Sequence, residues 1–278
     1  MALILKVTAD TKGLGLKDIL PPGTEHGMYD DAYRLQETES TTEAIVFDPK
    51  HIGRGVHAEI KDGEVEIGLS LPACKDEIAL AYRIAARACR KLGIKEFEAD
   101  GEKISLGDVE ANVKKSCLKA EAELKDMTEK LAAQKGKVAN VFGALNPVAL
   151  SRDDLEKMEG RIQKFGSFLH NKQMVNVYYS APQFFQDPAD GSFVGVYNIM
   201  VGVNTIMPFE PALPFYMHGE APRWYVYVYV SDEMYGYLKF DDFFSKAPRN
   251  GFYDATHFFC TLTEDMAGQL IKNYGAEV

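Results

Sequence analysis

Tyrosine and valine alternate in Trp224-Tyr225-Val226-Tyr227-Val228-Tyr229-Val230. On a strand, a period of two puts Tyr225, Tyr227 and Tyr229 on one face and Trp224, Val226, Val228 and Val230 on the other. A row of phenol rings can do recognition chemistry, stacking on a peptide, a sugar or a base with its hydroxyls at the rim. The competing reading is a central strand whose rings pack under helices, and strand packing favours it. His218 and Glu220, in the proline-rich segment 207–223, and Asp241 and His257, beside predicted strands, supply the imidazole and carboxylate types that general acid–base catalysis needs. No spacing brings them together and no nucleophile accompanies them. Asp241-Asp242 ahead of Phe243-Phe244 also reads as a helix start. Arg54, between Gly53 and Gly55, reads as an exposed turn cation able to hold an anion.

Metal and nucleotide motifs are missing. His257 and Cys260 fall on opposite faces of a strand, and a turn separates His51 from His57. No H-E-x-x-H, paired C-x-x-C or Ca²⁺ loop is present. Gly13-Leu14-Gly15 follows a strand but does not continue as a dinucleotide fingerprint. The expectation is no metal and no cofactor.

The elements that must position these residues follow from pattern. From Phe165 onward lie 13 of 16 Phe, 11 of 14 Tyr and the only Trp, so a charged, helix-rich first half precedes an aromatic, strand-rich second half. In the first half, a strand over 2–9 leads into a long irregular stretch, 11–42. A hairpin turns at Lys61-Asp62-Gly63, its second arm burying Val65, Ile67, Leu69 and Leu71. A helix over 75–92 carries Ile78, Tyr82, Ala85, Cys89 and Leu92 on one face. Residues 108–135 form a longer helix with the stripe Val109, Val113, Cys117, Ala120, Leu124, Met127 and Leu131. That stripe fits core packing, and alternatively a homodimer seam. A second-half helix begins at Ser151, with Leu155, Met158, Ile162, Phe165 and Leu169 as its stripe. Strands follow over 174–180, 193–206, 224–230, 235–240 and 256–262, and Thr263 caps a last helix. The fold class is α+β, two packed halves (1–136 and 137–278) of mainly antiparallel sheet covered by helices on one face.

A net charge of −10 over 278 residues opposes nucleic acid and anionic membrane surfaces, which need clustered Lys and Arg, and suits a basic protein partner. Residues 1–7 lack the basic start of a signal peptide, no apolar run approaches a membrane span, and the four cysteines form no framework. A cytoplasmic location is expected.

Gly53-Arg54-Gly55, the strand end at 68–72 and the strand pair before Pro208 together resemble a bacterial family of domains of unknown function. The resemblance covers most of the chain and implies no activity, substrate or catalytic residue. The negative charge, the aromatic-rich second half and the lack of a nucleophile–base–metal set make the expected function that of a protein-binding module, of inhibitor, immunity or scaffold type, contacting its partner near 187–192 and 207–223. The alternative is a hydrolase with an aromatic-lined pocket using His218, Glu220, Asp241 or His257.

Overall fold

The computed structural model describes residues 1–30, 34–134, 136–188, 191–213, 217 and 221–276. The chain forms two compact units, Met1–Val175 and Asn176–Val278.

In the first unit, β1 (Ala2–Thr8), β2 (Glu25–Tyr29), β3 (Leu35–Gln36), β4 (Glu43–Phe47), β5 (Val56–Lys61), β6 (Glu64–Ser70), β7 (Glu96–Ala99) and β8 (Glu102–Ser105) build one sheet of order β3-β2-β4-β5-β6-β1-β7-β8. Every pairing in it is antiparallel. Strict alternation buries Leu3, Leu5, Val7, Ala44, Val46, Val56, Ala58, Val65, Ile67 and Leu69 on one face and leaves Lys6, Glu43, His57, Glu59, Glu64 and Glu66 on the other. A one-turn α1 (Leu16–Ile19) and α2 (Lys75–Leu92) lie on the buried face. Ile78, Tyr82, Ala85 and Cys89 of α2 are buried as its period requires, and Gly93 ends it in a left-handed C-cap.

The charged helix α3 (Val109–Ala132) packs on α2, burying Val113, Ser116, Ala120, Leu124 and Leu131. Tyr82 and Ser116 join the two helices through a hydroxyl pair at 3.0 Å. A short hairpin, β9 (Ala139–Phe142) and β10 (Pro147–Leu150), leads to α4 (Arg152–Met158) and α5 (Ile162–Gln173). The stripe from Leu155 to Leu169 is buried throughout, but the expected single helix is two. Glu159 and Gly160 both take positive φ and break it. Because α4 and α5 pack on α3, and α5 also on α2, the first unit runs on to Val175, beyond the division placed at Gly136 from sequence.

The second unit holds two sheets. One is β11 (Tyr178–Tyr179), β14 (Thr205–Pro208) and β17 (His257–Cys260), in the order β11-β14-β17. The other is β12 (Gln183–Gln186), β13 (Phe193–Met200), β15 (Arg223–Ser231), β16 (Met234–Lys239) and β18 (Gly275–Ala276), in that spatial order. Here the sheets are mixed, since β13 runs parallel to β15 and β11 parallel to β14. The expected strand 193–206 is β13 and β14, in different sheets, with Gly202 at positive φ between them. Ser180 ties the sheets together, donating to the Asn198 carbonyl at 2.8 Å and accepting its N–H at 3.0 Å. Helices α6 (Phe240–Lys246) and α7 (Glu264–Tyr274) close the core, which contains Tyr197, Ile199, Val226, Val228, Leu238, Phe243 and Phe258. Thr263 caps α7 through the Met266 N–H. Among the described residues, no helix is long and apolar enough to cross a membrane.

Candidate functional site

The tyrosine strand β15 splits its two faces as its period demands. Val226 and Val228 are fully buried in the core, while Tyr225, Tyr227 and Tyr229 are half-buried on the opposite face. Strand pairing extends that outer row. Tyr227 lies opposite Tyr237 and Tyr229 opposite Tyr235 on β16, with ring centroids of Tyr227 at 5.0 Å from Tyr237 and 5.8 Å from Tyr235. On the other side, Met200 pairs with Tyr229, and Val194, the partner of Arg223, faces Phe185. Phe185 is 56% exposed, Tyr235 54% and Met200 40%, far more than sheet-packed residues normally show. The Tyr229 hydroxyl donates to Asp232 at 2.8 Å, a bond that pushes the phenol's pKa upward. Gly195 has no side chain because the Trp224 ring occupies that space. Trp224 in turn stacks on Tyr197 at 5.7 Å.

This unit is also the acidic one. Its sequence holds twelve Asp and Glu against five Lys and Arg, so it carries seven of the chain's ten net negative charges.

A second constellation surrounds His257, at the start of β17. Asp254 Oδ1 accepts from the N–H groups of Thr256 and His257, both at 2.8 Å, and sits 2.9 Å from His257 Nδ1. A carboxylate is acceptor-only, so Nδ1 carries the proton, and in the neutral ring Nε2 accepts from the Tyr179 hydroxyl at 3.1 Å. Burial pushes the Tyr179 phenol strongly upward, which keeps it protonated and donating. Carboxylate, imidazole and phenol thus form a continuous chain. The Asp254 carboxylate is fully buried and the His257 side chain is 18% exposed. The arrangement pins β11 and the 254–257 turn to β17.

The third lies in the first unit, where Gly53-Arg54-Gly55 meets the start of α2. Glu77 is buried, and its carboxylate accepts from the N–H groups of Arg54, Gly55 (3.0 Å) and Cys74 (3.2 Å). A Cβ on Gly53 would overlap that carboxylate, which is the physical reason for the glycine. Burial outweighs the three N–H donors and raises the Glu77 carboxyl above its ordinary range. Arg54 reaches the carbonyls of Leu71 (3.2 Å) and Pro72 (3.5 Å), while its Nε is buried without a hydrogen-bond partner. Burial lowers the guanidinium's pKa and, close by, pushes the Tyr29 phenol up to about 12. Next to it, His51, Cys74, Asp76, Gln163 and His170 line a cleft of about 250 Å³. His170 Nδ1 accepts the Ile52 N–H at 3.1 Å, so a neutral ring turns its Nε2–H outward from that bond.

A family model described as a domain of unknown function, DUF4299, matches residues 4–270. The chain belongs to the DUF4299 family. No curated protein and no solved structure matches it. Roles for residues of this DUF4299 chain therefore rest on its own geometry.

Of the residues singled out from sequence, Tyr225, Tyr227 and Tyr229 share one face. His218 and Glu220 lie outside the described residues. Asp241 is exposed in the first turn of α6, and the partners of His257 are Asp254, Thr256 and Tyr179 instead. The expected exposed Arg54 is corrected to a half-buried one, its Nε enclosed and its guanidinium under the influence of Glu77 and Tyr29. Sequence reading missed Asp254, Tyr179 and Glu77. Only Asp254 carried a local signal, as an Asp two residues before a Thr whose N–H it can accept in a turn. A last group, Glu43, His57 and Glu59, brings three potential metal ligands together on the polar face of the first sheet.

Proposed function

We propose that this chain is a protein-binding module whose second unit receives a basic segment of a partner across the tyrosine face. The single observation that carries this reading is the outer row Tyr225, Tyr227, Tyr229, Tyr235 and Tyr237, left half-exposed or exposed on a sheet whose inner face buries Val226, Val228 and Leu238 in the core. Tyrosine contributes large contact area at low entropic cost and is enriched at interface hot spots. Ring faces attract guanidinium and ammonium groups, and the unit's negative charge adds long-range attraction for the same cations. Acidity and aromaticity therefore select one class of partner, a segment rich in Arg or Lys. An inhibitor or scaffold role would use this face in the same way. The hydrolase reading has less support, since His257 is engaged at both ring nitrogens.

The test is isothermal titration with an arginine-rich peptide and with a glutamate-rich peptide of equal length. Saturable binding of the arginine-rich peptide is expected at low salt, weakening as salt rises. The double variant Tyr227→Ser, Tyr235→Ser should weaken it about tenfold or more, since two ring contacts of about 0.5–1 kcal/mol each are lost along with their buried area. Equal affinity for both peptides, or binding indifferent to the double substitution, would remove the proposal.

A further inference from the structure

We infer that Glu43, His57 and Glu59 form a surface site for a borderline divalent transition metal of the zinc type. The three residues reach it from adjacent antiparallel strands. Glu43 of β4 pairs directly with Glu59 of β5, and His57 stands two residues from Glu59 on the same face. His57 Nε2 lies 2.9 Å from Glu43 Oε1, and the ligand atoms of all three residues lie within 4.8 Å of one another. Ligands of a tetrahedral zinc ion stand roughly 3.3–3.5 Å apart, given bonds of about 2.0–2.2 Å. Rotamer adjustment alone closes the difference, and the side chains are free to make it, Glu43 being 41% and His57 34% exposed.

Two further features favour a cation there. Like charges directly opposite each other on paired strands repel, and Glu43 faces Glu59 in that way. Lys61 relieves only one of them, at 2.9 Å from Glu59 Oε2, which leaves Oε1 to ligate. On the far side of the imidazole, His57 pairs with Gly68 of β6. A Cβ built on Gly68 would meet Ile4 Cδ1 at 3.7 Å and His57 Cβ at 3.9 Å, ordinary contact distances, so glycine there keeps a further side chain away from the base of the imidazole. One imidazole with two carboxylates matches zinc, nickel or copper rather than calcium or magnesium, which take oxygen alone. Three protein ligands leave a fourth position for water or a small anionic ligand.

Titration of the chelator-treated protein with Zn²⁺ alone, followed by calorimetry, tests this. Saturable uptake of one ion per chain is expected. His57→Ala, Glu59→Gln and Glu43→Gln should each weaken it by at least about tenfold, the lower end of what the loss of even an outer-shell partner costs. His51→Ala should leave it unchanged, and melting curves identify any variant that is misfolded. The absence of saturable binding, or binding that survives His57→Ala and both carboxylate substitutions in folded protein, overturns the assignment.

Discussion

Glu77→Ala is expected to destabilise the first unit by about 3–5 kcal/mol, enough to unfold a marginal domain. The carboxylate is buried and accepts from three backbone N–H groups, those of Arg54, Gly55 and Cys74, for which the described residues offer no other acceptor. Each buried donor left unsatisfied costs about 1–3 kcal/mol. The substitution also removes the carboxyl whose charge favours the protonated Arg54 guanidinium. Glu77→Gln keeps one acceptor oxygen, so a smaller loss is expected. The pH dependence separates the two contributions. Because the folded carboxyl titrates above its unfolded range, its share of stability is complete below the unfolded value of about 4.3 and declines as the pH rises through the folded value. The deficit of Glu77→Gln against the natural protein should therefore shrink as the pH rises across that window. Urea unfolding followed by hydrogen exchange of α2 amides measures this. Tryptophan fluorescence does not, since the one Trp lies in the second unit. A loss below about 1 kcal/mol for Glu77→Ala would show that the loop finds other acceptors.

The elements that sequence exposed most clearly were those whose physics is local. The Lys61-Asp62-Gly63 turn, the Ile78-to-Cys89 stripe and the Ser151 cap each depend on residues within one or two turns of themselves, and each forms where it was expected. The Tyr–Val alternation of β15 likewise separated its faces correctly, but the favoured packing of the tyrosines under helices is overturned, since the valine face takes the core and the tyrosine face stays half-buried. That choice is made by Gly195 beside Trp224, and by α6 and α7 packing against the valines. Breaks were harder to see. The stripe from Leu155 to Leu169 continues in phase across Glu159-Gly160, so periodicity alone shows one helix where the backbone makes two. Segment 193–206 reads as one apolar run although Gly202 sends its halves into separate sheets. The clusters were invisible for a simpler reason. Tyr179 and His257 are 78 residues apart, and Arg54 and Glu77 are 23 apart. Alternation assigns a side chain to a face, whereas strand order assigns its neighbours, and only the second brings Glu43 to His57.

Asp254→Ala should destabilise the second unit by about 2–4 kcal/mol, with Asp254→Asn far milder. The contrast follows from one oxygen. Asp254 Oδ1 accepts from the Thr256 and His257 N–H groups and lies within hydrogen-bond distance of His257 Nδ1 and Thr256 Oγ1. Asparagine retains that carbonyl oxygen and loses only the charge assistance on the imidazole, whereas alanine removes the acceptor from a site with no access for water at the carboxylate. Without it, the imidazole loses the bond that sets its tautomer, and the Tyr179 hydroxyl faces a nitrogen that is no longer obliged to accept. The damage then passes from the 254–257 turn to β11, on the far side of β14 in the three-stranded sheet. Trp224 stacks on Tyr197 within this unit, so its fluorescence reports the transition directly in denaturant. The expected order of midpoints is natural protein, then Asp254→Asn, then Asp254→Ala well below both. Equal midpoints for the two substitutions would mean that the carboxylate's charge, rather than its acceptor geometry, holds β11 to β17.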